Sequence, residues 1–221
     1  MTDTPQKSTF YLALRSTVMT GLAIWIIHVF KAVLNLPLGR LGIYPREVDG
    51  LKGIIFSPLI HGDWAHLMSN TGPLLMLTFT IVFFYRKIAL KSIALIYVLT
   101  GVAVWVFARQ NFHIGASGVV YGMVSFVFWL GVFRRNPKSI ILALIILFLY
   151  SGLVMGILPN QPGVSWESHL FGGIVGIIVA FMMRFQKELD EKERTYDLTE
   201  APRRSMFDAD VFERKLRDTE D

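Results

Sequence analysis

The chain has 221 residues, of which 53% are hydrophobic, and its mean hydropathy is +0.48. A soluble domain of this length needs a more polar surface, so the composition predicts a membrane protein. The formal net charge is +5, which could suggest nucleic-acid binding. The basic residues flank apolar runs, however, and this position is typical of residues that set membrane topology. The absence of cysteine excludes disulfides, thiolate metal sites and a cysteine nucleophile.

Six apolar stretches are long enough to cross a bilayer, which takes about 20 mostly apolar residues. They are Ser16–Leu36, His66–Tyr85, Leu90–Ala108, Ser117–Phe133, Ser139–Leu158 and Ser168–Phe185. The pattern predicts an all-α membrane protein built as a six-helix bundle over residues 16–185. Residues 1–15 form an N-terminal segment, and residues 186–221 form a charged tail.

Two segments lack the character of a span. Pro37–Ile60 is rich in proline and glycine and mixes apolar with charged residues, so we expect an irregular structured loop on or in the outer leaflet. The tail carries 8 Lys/Arg and 12 Asp/Glu residues. It is typical of a solvated segment, with one amphipathic helix expected near Met206–Leu216.

Basic residues in the links between spans predict the orientation. The links after the second and fourth spans are basic, whereas the links after the third and fifth hold only Arg109. The basic links carry Arg86, Lys87, Lys91, Arg134, Arg135 and Lys138. We therefore expect both termini in the cytoplasm, so the second, fourth and sixth spans run parallel from outside to inside.

Polar residues at membrane depth are costly and mark candidate functional sites. The second span opens with His66 and Asn70, the fourth with Ser117 and the sixth with His169. Because these helices begin at one face, the four side chains are predicted to share a depth. Small residues four apart on the fourth and sixth spans favour close helix packing beside them.

A serine hydroxyl needs a base within hydrogen-bond reach, and histidine is suited to that role. Ser117 alone would indicate helix packing, but with His169 at matching depth it indicates a nucleophile and its base. His66, Asn70 and the backbone N–H of Ser117 can supply donors to an oxyanion. The nearest acid, Glu167, is expected to point to another helix face, so the prediction is a Ser–His dyad without a carboxylate.

Three motifs carry a resemblance to a known family. They are Gly115-Ala116-Ser117-Gly118, the run from His61 to Asn70 (HGDWAHLMSN), and Ser168-His169 followed by Gly172 and Gly176. In their order along the chain and in their spacing, these motifs resemble those of the rhomboid intramembrane serine proteases over roughly residues 56–185. The Trp-Arg pair that many members carry in the first external loop is not found here.

The resemblance implies particular roles for these residues. Ser117 would be the nucleophile and His169 the base, while His66 and Asn70 would line the oxyanion site. Tyr121 would support the ring of the base, and Gly115 would shape the loop before the serine. His61 would be structural. Substrates would be transmembrane protein helices in the lipid bilayer, with no metal, no cofactor and no nucleic acid involved.

Other interpretations stay open at this point. His61, His66 and His113 could hold zinc, although no H-E-x-x-H motif is present. His113 is otherwise expected to be solvated or to cap a helix. A catalytically silent protein that binds client helices is the non-enzymatic alternative, and a transporter is a third class. The length and the lack of a transit peptide favour the plasma membrane of a bacterium.

Overall fold

The computed structural model describes residues 5–159, 165–186 and 188. Most of the predicted tail, including the helix expected near Met206–Leu216, lies outside these residues. Seven α-helices are present in the described part: α1 Pro5–Val33, α2 Gly53–Phe56, α3 Trp64–Phe84, α4 Arg86–Phe107, α5 Ser117–Arg134, α6 Pro137–Tyr150 and α7 Trp166–Met183. No β-strand occurs among these residues, so the predicted all-α class is confirmed.

Five of these helices, α1, α3, α4, α5 and α7, are long and apolar enough to span a membrane. The fifth predicted span, over residues 139–158, takes a different form. Its α-helix ends at Tyr150, and the chain continues as a 3₁₀ helix over Ser151–Ile157. A 3₁₀ helix rises about 2.0 Å per residue against 1.5 Å in an α-helix, so the two pieces still contain a bilayer's length of chain.

The long connection before α3 is an irregular structured segment, as its proline and glycine content predicts. It contains 3₁₀ turns at Leu38–Leu41, Val48–Lys52 and Ser57–Leu59 around the single turn of α2. An isolated antiparallel bridge joins Ile43 to His113. This bridge ties the segment to the loop that precedes α5.

The beginnings of the helices follow from local sequence. Asp63 caps α3, because its side chain accepts the backbone N–H of His66 at 2.8 Å. Ser165 caps α7 in the same way by accepting the N–H of Ser168. No side chain caps α5, which follows Ala116. The first backbone N–H groups of α5, which have no intrahelical partner at any helix start, are thus not satisfied by a capping side chain.

Helices α5 and α7 pack with their backbones in contact along the glycines that the sequence singles out. A methyl group on Gly172 would lie 2.1 Å from the carbonyl oxygen of Gly118. A methyl group on Gly176 would lie 2.3 Å from the carbonyl oxygen of Gly122. Only glycine allows this approach, so the predicted small-residue seam is confirmed. It fixes the first turns of α5 and α7 side by side.

Candidate active site

Ser117 and His169 meet across this glycine seam. The hydroxyl Oγ of Ser117 lies 2.9 Å from Nε2 of His169. Ser117 is the first residue of α5, and His169 lies in the first turn of α7. His169 is buried, with 7% of its surface exposed. The distance is within the hydrogen-bond reach that a serine nucleophile and its general base need.

The other ring nitrogen of His169 has a backbone partner. Nδ1 of His169 lies 2.8 Å from the carbonyl oxygen of Gly156 in the 3₁₀ segment. A carbonyl oxygen only accepts, so Nδ1 carries the proton of the neutral ring. Nε2 then presents its lone pair to the Ser117 hydroxyl. The carbonyl of Gly156 thus takes the orienting position that a carboxylate holds in a Ser-His-Asp triad.

Tyr121 supports the imidazole from one face. Its ring is stacked on the ring of His169, with centroids 4.1 Å apart and an interplanar angle of 5°. Its hydroxyl donates to the carbonyl oxygen of Leu153 at 2.6 Å. The 3₁₀ segment therefore holds both the phenol and, through Gly156, the imidazole.

His66 and Gly115 approach each other closely beside the start of α5. Gly115 has a φ of 107°, which L side chains rarely adopt. A methyl group on Gly115 would lie 2.5 Å from Nε2 of His66. Glycine is thus required twice at this position, once for the backbone and once for the approach of the imidazole. This observation agrees with the loop-shaping role that the resemblance implies.

Asn70 lies one turn after the half-buried His66 on α3 and is itself buried. Its Nδ2 donates to the carbonyl oxygen of His66 at 2.8 Å. An amide nitrogen carries two hydrogens, so this bond leaves the second one for another acceptor.

A cavity of about 880 Å³ contains these groups. Its lining includes His66, Asn70, Ser117, Tyr121, Gly156 and His169. Helices α3, α5 and α7 all begin beside it, as the shared depth of the polar residues predicts. The space is large enough to admit several residues of an extended peptide.

His61 lies behind the loop before α5, where only 1% of its surface is exposed. Its Nε2 is 3.5 Å from the backbone nitrogen of Ala116, which donates to it. Burial, together with the smaller effect of the neighbouring His66, lowers the pKa of His61 to about 4. His61 is therefore a neutral acceptor that braces the loop.

The expectation that His113 is solvated was wrong, because 3% of its surface is exposed. The bridge to Ile43 folds its loop inward, and Nδ1 of His113 lies 2.5 Å from Oγ of Ser165. Burial lowers the pKa of His113. Within the described ranges no three His, Cys, Asp or Glu side chains are grouped closely enough to hold a metal ion.

Glu167 is buried, but its partner is not His169. Its carboxylate pairs with Arg109 at 2.9 Å, and the imidazole of His169 is bound to the Gly156 carbonyl instead. No motif in the sequence points to Gly156 or Leu153, because both bind through carbonyl groups that every residue possesses.

Comparison with known proteins identifies the family. The family model for the Rhomboid domain matches residues 49–186, which is more than half of the chain. The chain belongs to the rhomboid family. This rhomboid protein is 34% identical over 178 residues to uncharacterized proteins of Mycobacterium bovis and Mycobacterium tuberculosis, an alignment that covers 76% of this chain and 74% of each relative.

A plant relative is more distant. RHOMBOID-like protein 4 of Arabidopsis thaliana is 29% identical over 132 residues, which is 56% of this chain and 32% of that protein. With its Rhomboid domain and its long apolar helices, the chain is an integral, multi-pass membrane protein. The domain match begins at residue 49, after the end of α1.

Proposed function

We propose that this rhomboid protein is an intramembrane serine endopeptidase that cuts transmembrane proteins with a Ser117–His169 dyad. The observation that carries the proposal is the chain of two hydrogen bonds from Ser117 through His169 to the Gly156 carbonyl. It supports the one tautomer in which His169 can accept the serine proton.

In the acylation step, Oγ of Ser117 attacks the carbonyl carbon of the scissile peptide bond while its proton moves to Nε2 of His169. The C–N bond then breaks, and His169 returns the proton to the leaving amine. Water attacks the resulting ester with His169 again as base. This step releases the new carboxyl end of the substrate and restores the Ser117 hydroxyl.

The negative charge on the tetrahedral oxygen needs donors that are in place before the reaction. The uncapped start of α5 offers the backbone N–H of Ser117 with the positive end of the helix dipole. His66 and Asn70, which line the same cavity, are proposed as side-chain donors. Gly115 and Tyr121 hold the surrounding groups in place.

The substrates are proposed to be transmembrane helices cut near the outer face. A helical peptide bond is hidden by its own hydrogen bonds, so small or helix-breaking residues are expected near the cut. The basic links support an orientation with both termini in the cytoplasm. The likeness to mycobacterial proteins supports a bacterial plasma membrane.

One cleavage assay tests the proposal. The purified wild-type protein and Ser117→Ala are compared on a fluorescent transmembrane reporter in liposomes, alongside labelling by a fluorophosphonate. We expect cleavage and labelling by the wild type, and neither by Ser117→Ala at an unchanged melting temperature. Cleavage that survives Ser117→Ala excludes the serine mechanism. A wild type that binds the reporter without cutting or labelling supports the silent, client-binding alternative.

A further inference from the structure

Lys31 is a charged side chain outside the matched domain that bonds to the turn beside the candidate active site. It lies in the last turn of α1, and the domain match begins at residue 49. Its ammonium group donates to the carbonyl oxygens of His61 at 2.6 Å and Gly62 at 2.5 Å. These two carbonyls belong to the turn that leads into α3.

The amide group between His61 and Gly62 links Lys31 to His66. Its carbonyl accepts from the Lys31 ammonium group, and its N–H donates to Nδ1 of His66 at 3.4 Å. A positive charge on the carbonyl polarises the amide and strengthens the donation from its N–H. An N–H group can only donate, so Nδ1 of His66 holds a lone pair and Nε2 carries the proton.

The proton on Nε2 is the one that an oxyanion donor needs. Nε2 is the ring atom that approaches Gly115, two residues before Ser117, and both His66 and Ser117 line the cavity. If the amide between His61 and Gly62 rotated by half a turn, a carbonyl oxygen would face Nδ1 and favour the opposite tautomer. Glycine at position 62 makes such a rotation easy, whereas two bonds from one ammonium group oppose it.

We propose that Lys31 is a positioning residue, which acts through the His61–Gly62 amide to hold His66 with its proton on Nε2 toward the oxyanion. This inference rests on the proposed function, in which His66 is an oxyanion donor. A plain structural tie between α1 and the turn would need the same contacts. It would not determine which nitrogen of His66 is protonated.

The variants are Lys31→Met, which removes the charge and the donors from a stem of similar length, and Lys31→Arg, which restores both. Lys52→Met is the matched control, since it removes one positive charge from the exposed surface of the segment before α3. Each is measured for kcat and KM on the transmembrane reporter. ¹⁵N spectra of histidine-labelled protein report the protonated nitrogen, with His66→Ala assigning the His66 signals.

We expect Lys31→Met to lower kcat about 10-fold at constant KM, a smaller loss than the 10²–10³ expected when both side-chain donors are removed. The His66 spectrum should gain the Nδ1–H form. Lys31→Arg and Lys52→Met should keep the wild-type tautomer. Their kcat should stay within about twofold of the wild type, because an exposed charged contact contributes little free energy. Adding Lys31→Met to His66→Ala should cause no further loss of kcat.

A wild-type His66 spectrum in Lys31→Met overturns the inference, as does a further fall of kcat in the His66→Ala background. If Lys31→Met does not fold, Lys31→Gln replaces it, because it also removes the charge. The spectra do not require turnover. If the wild type cuts nothing but Lys31→Met shifts the tautomer, the proposed function fails while the positioning by Lys31 stands.

Discussion

The seam between α5 and α7 and the 3₁₀ segment Ser151–Ile157 serve the same imidazole in different ways. The seam sets where the imidazole is, because glycine carbonyls and α-carbons of two long helices touch. The 3₁₀ segment sets how the ring is turned, because its carbonyls bind Nδ1 of His169 and the hydroxyl of Tyr121. Placement is thus built into the core of the bundle, and orientation is supplied by a short element at its side.

A methyl group in the seam should have the largest effect. In Gly172→Ala the new carbon would lie 2.1 Å from the Gly118 carbonyl oxygen, so the helices must separate. We expect loss of turnover together with a melting temperature lower by several degrees. Gly173→Ala is the control, since nothing lies within 4 Å of its added carbon. A Gly172→Ala protein with wild-type turnover would break the comparison.

Removing the proposed oxyanion donors tests the chemistry of the site without moving the α5–α7 seam. His66→Ala with Asn70→Ala should lower kcat by about 10²–10³ at a nearly constant melting temperature, because both are proposed to act on the oxyanion alone. Each single change should cost less, since the other donor remains. Steady-state kinetics on folded protein measure this. A double variant with wild-type turnover excludes both residues from that role.

A methyl group in the 3₁₀ segment should affect orientation only. In Gly156→Ala the added carbon would lie 2.0 Å from the Tyr121 hydroxyl and 3.2 Å from Nδ1 of His169. The side chain of Tyr121 can move, so we expect kcat to fall about 10-fold, as for a misaligned base, with little change in stability. Gly152→Ala, whose added carbon meets nothing within 4 Å, should keep wild-type turnover. Equal losses in the two variants would contradict this assignment.

The smallest expected effect concerns the pH dependence of stability. The pKa of His61 is lowered from 6.5 to about 4 by burial. The unfolded chain therefore binds a proton that the folded protein does not, and stability falls as the pH drops from 6.5 toward 4. A shift of this size corresponds to at most about 3 kcal/mol. Urea unfolding in detergent at pH 7 and pH 4.5 should show a smaller difference for His61→Gln than for the wild type.

His113 should also contribute to the fall of stability at acid pH. Its pKa is also lowered by burial, so part of the acid sensitivity should remain in His61→Gln. A combined His61→Gln and His113→Gln protein should therefore be the least sensitive of the set. An unchanged pH dependence in the combined protein would mean that neither imidazole is kept neutral by burial.

The sequence predicted the seam and the meeting of Ser117 with His169, because helix periodicity and glycine spacing determine which residues share a face. It did not predict where α6 ends, since apolar residues continue past Tyr150 as far as Leu158 and the first proline is Pro159. Nor did it indicate the carbonyls of Leu153 and Gly156, because a main-chain acceptor leaves no trace in residue type. Lys31 was missed because it is far from the motifs along the chain.

The partner of His169 is a main-chain carbonyl, and this affects which mutations can remove it. A triad that includes an aspartate can lose its third member through one codon change, but a carbonyl group survives every substitution. Silent descendants of this gene should therefore carry changes at Ser117 or His169, or a bulkier residue at Gly156 that displaces the ring. If the proposed function holds, relatives that keep both dyad residues should be less active the larger the side chain at the position of Gly156.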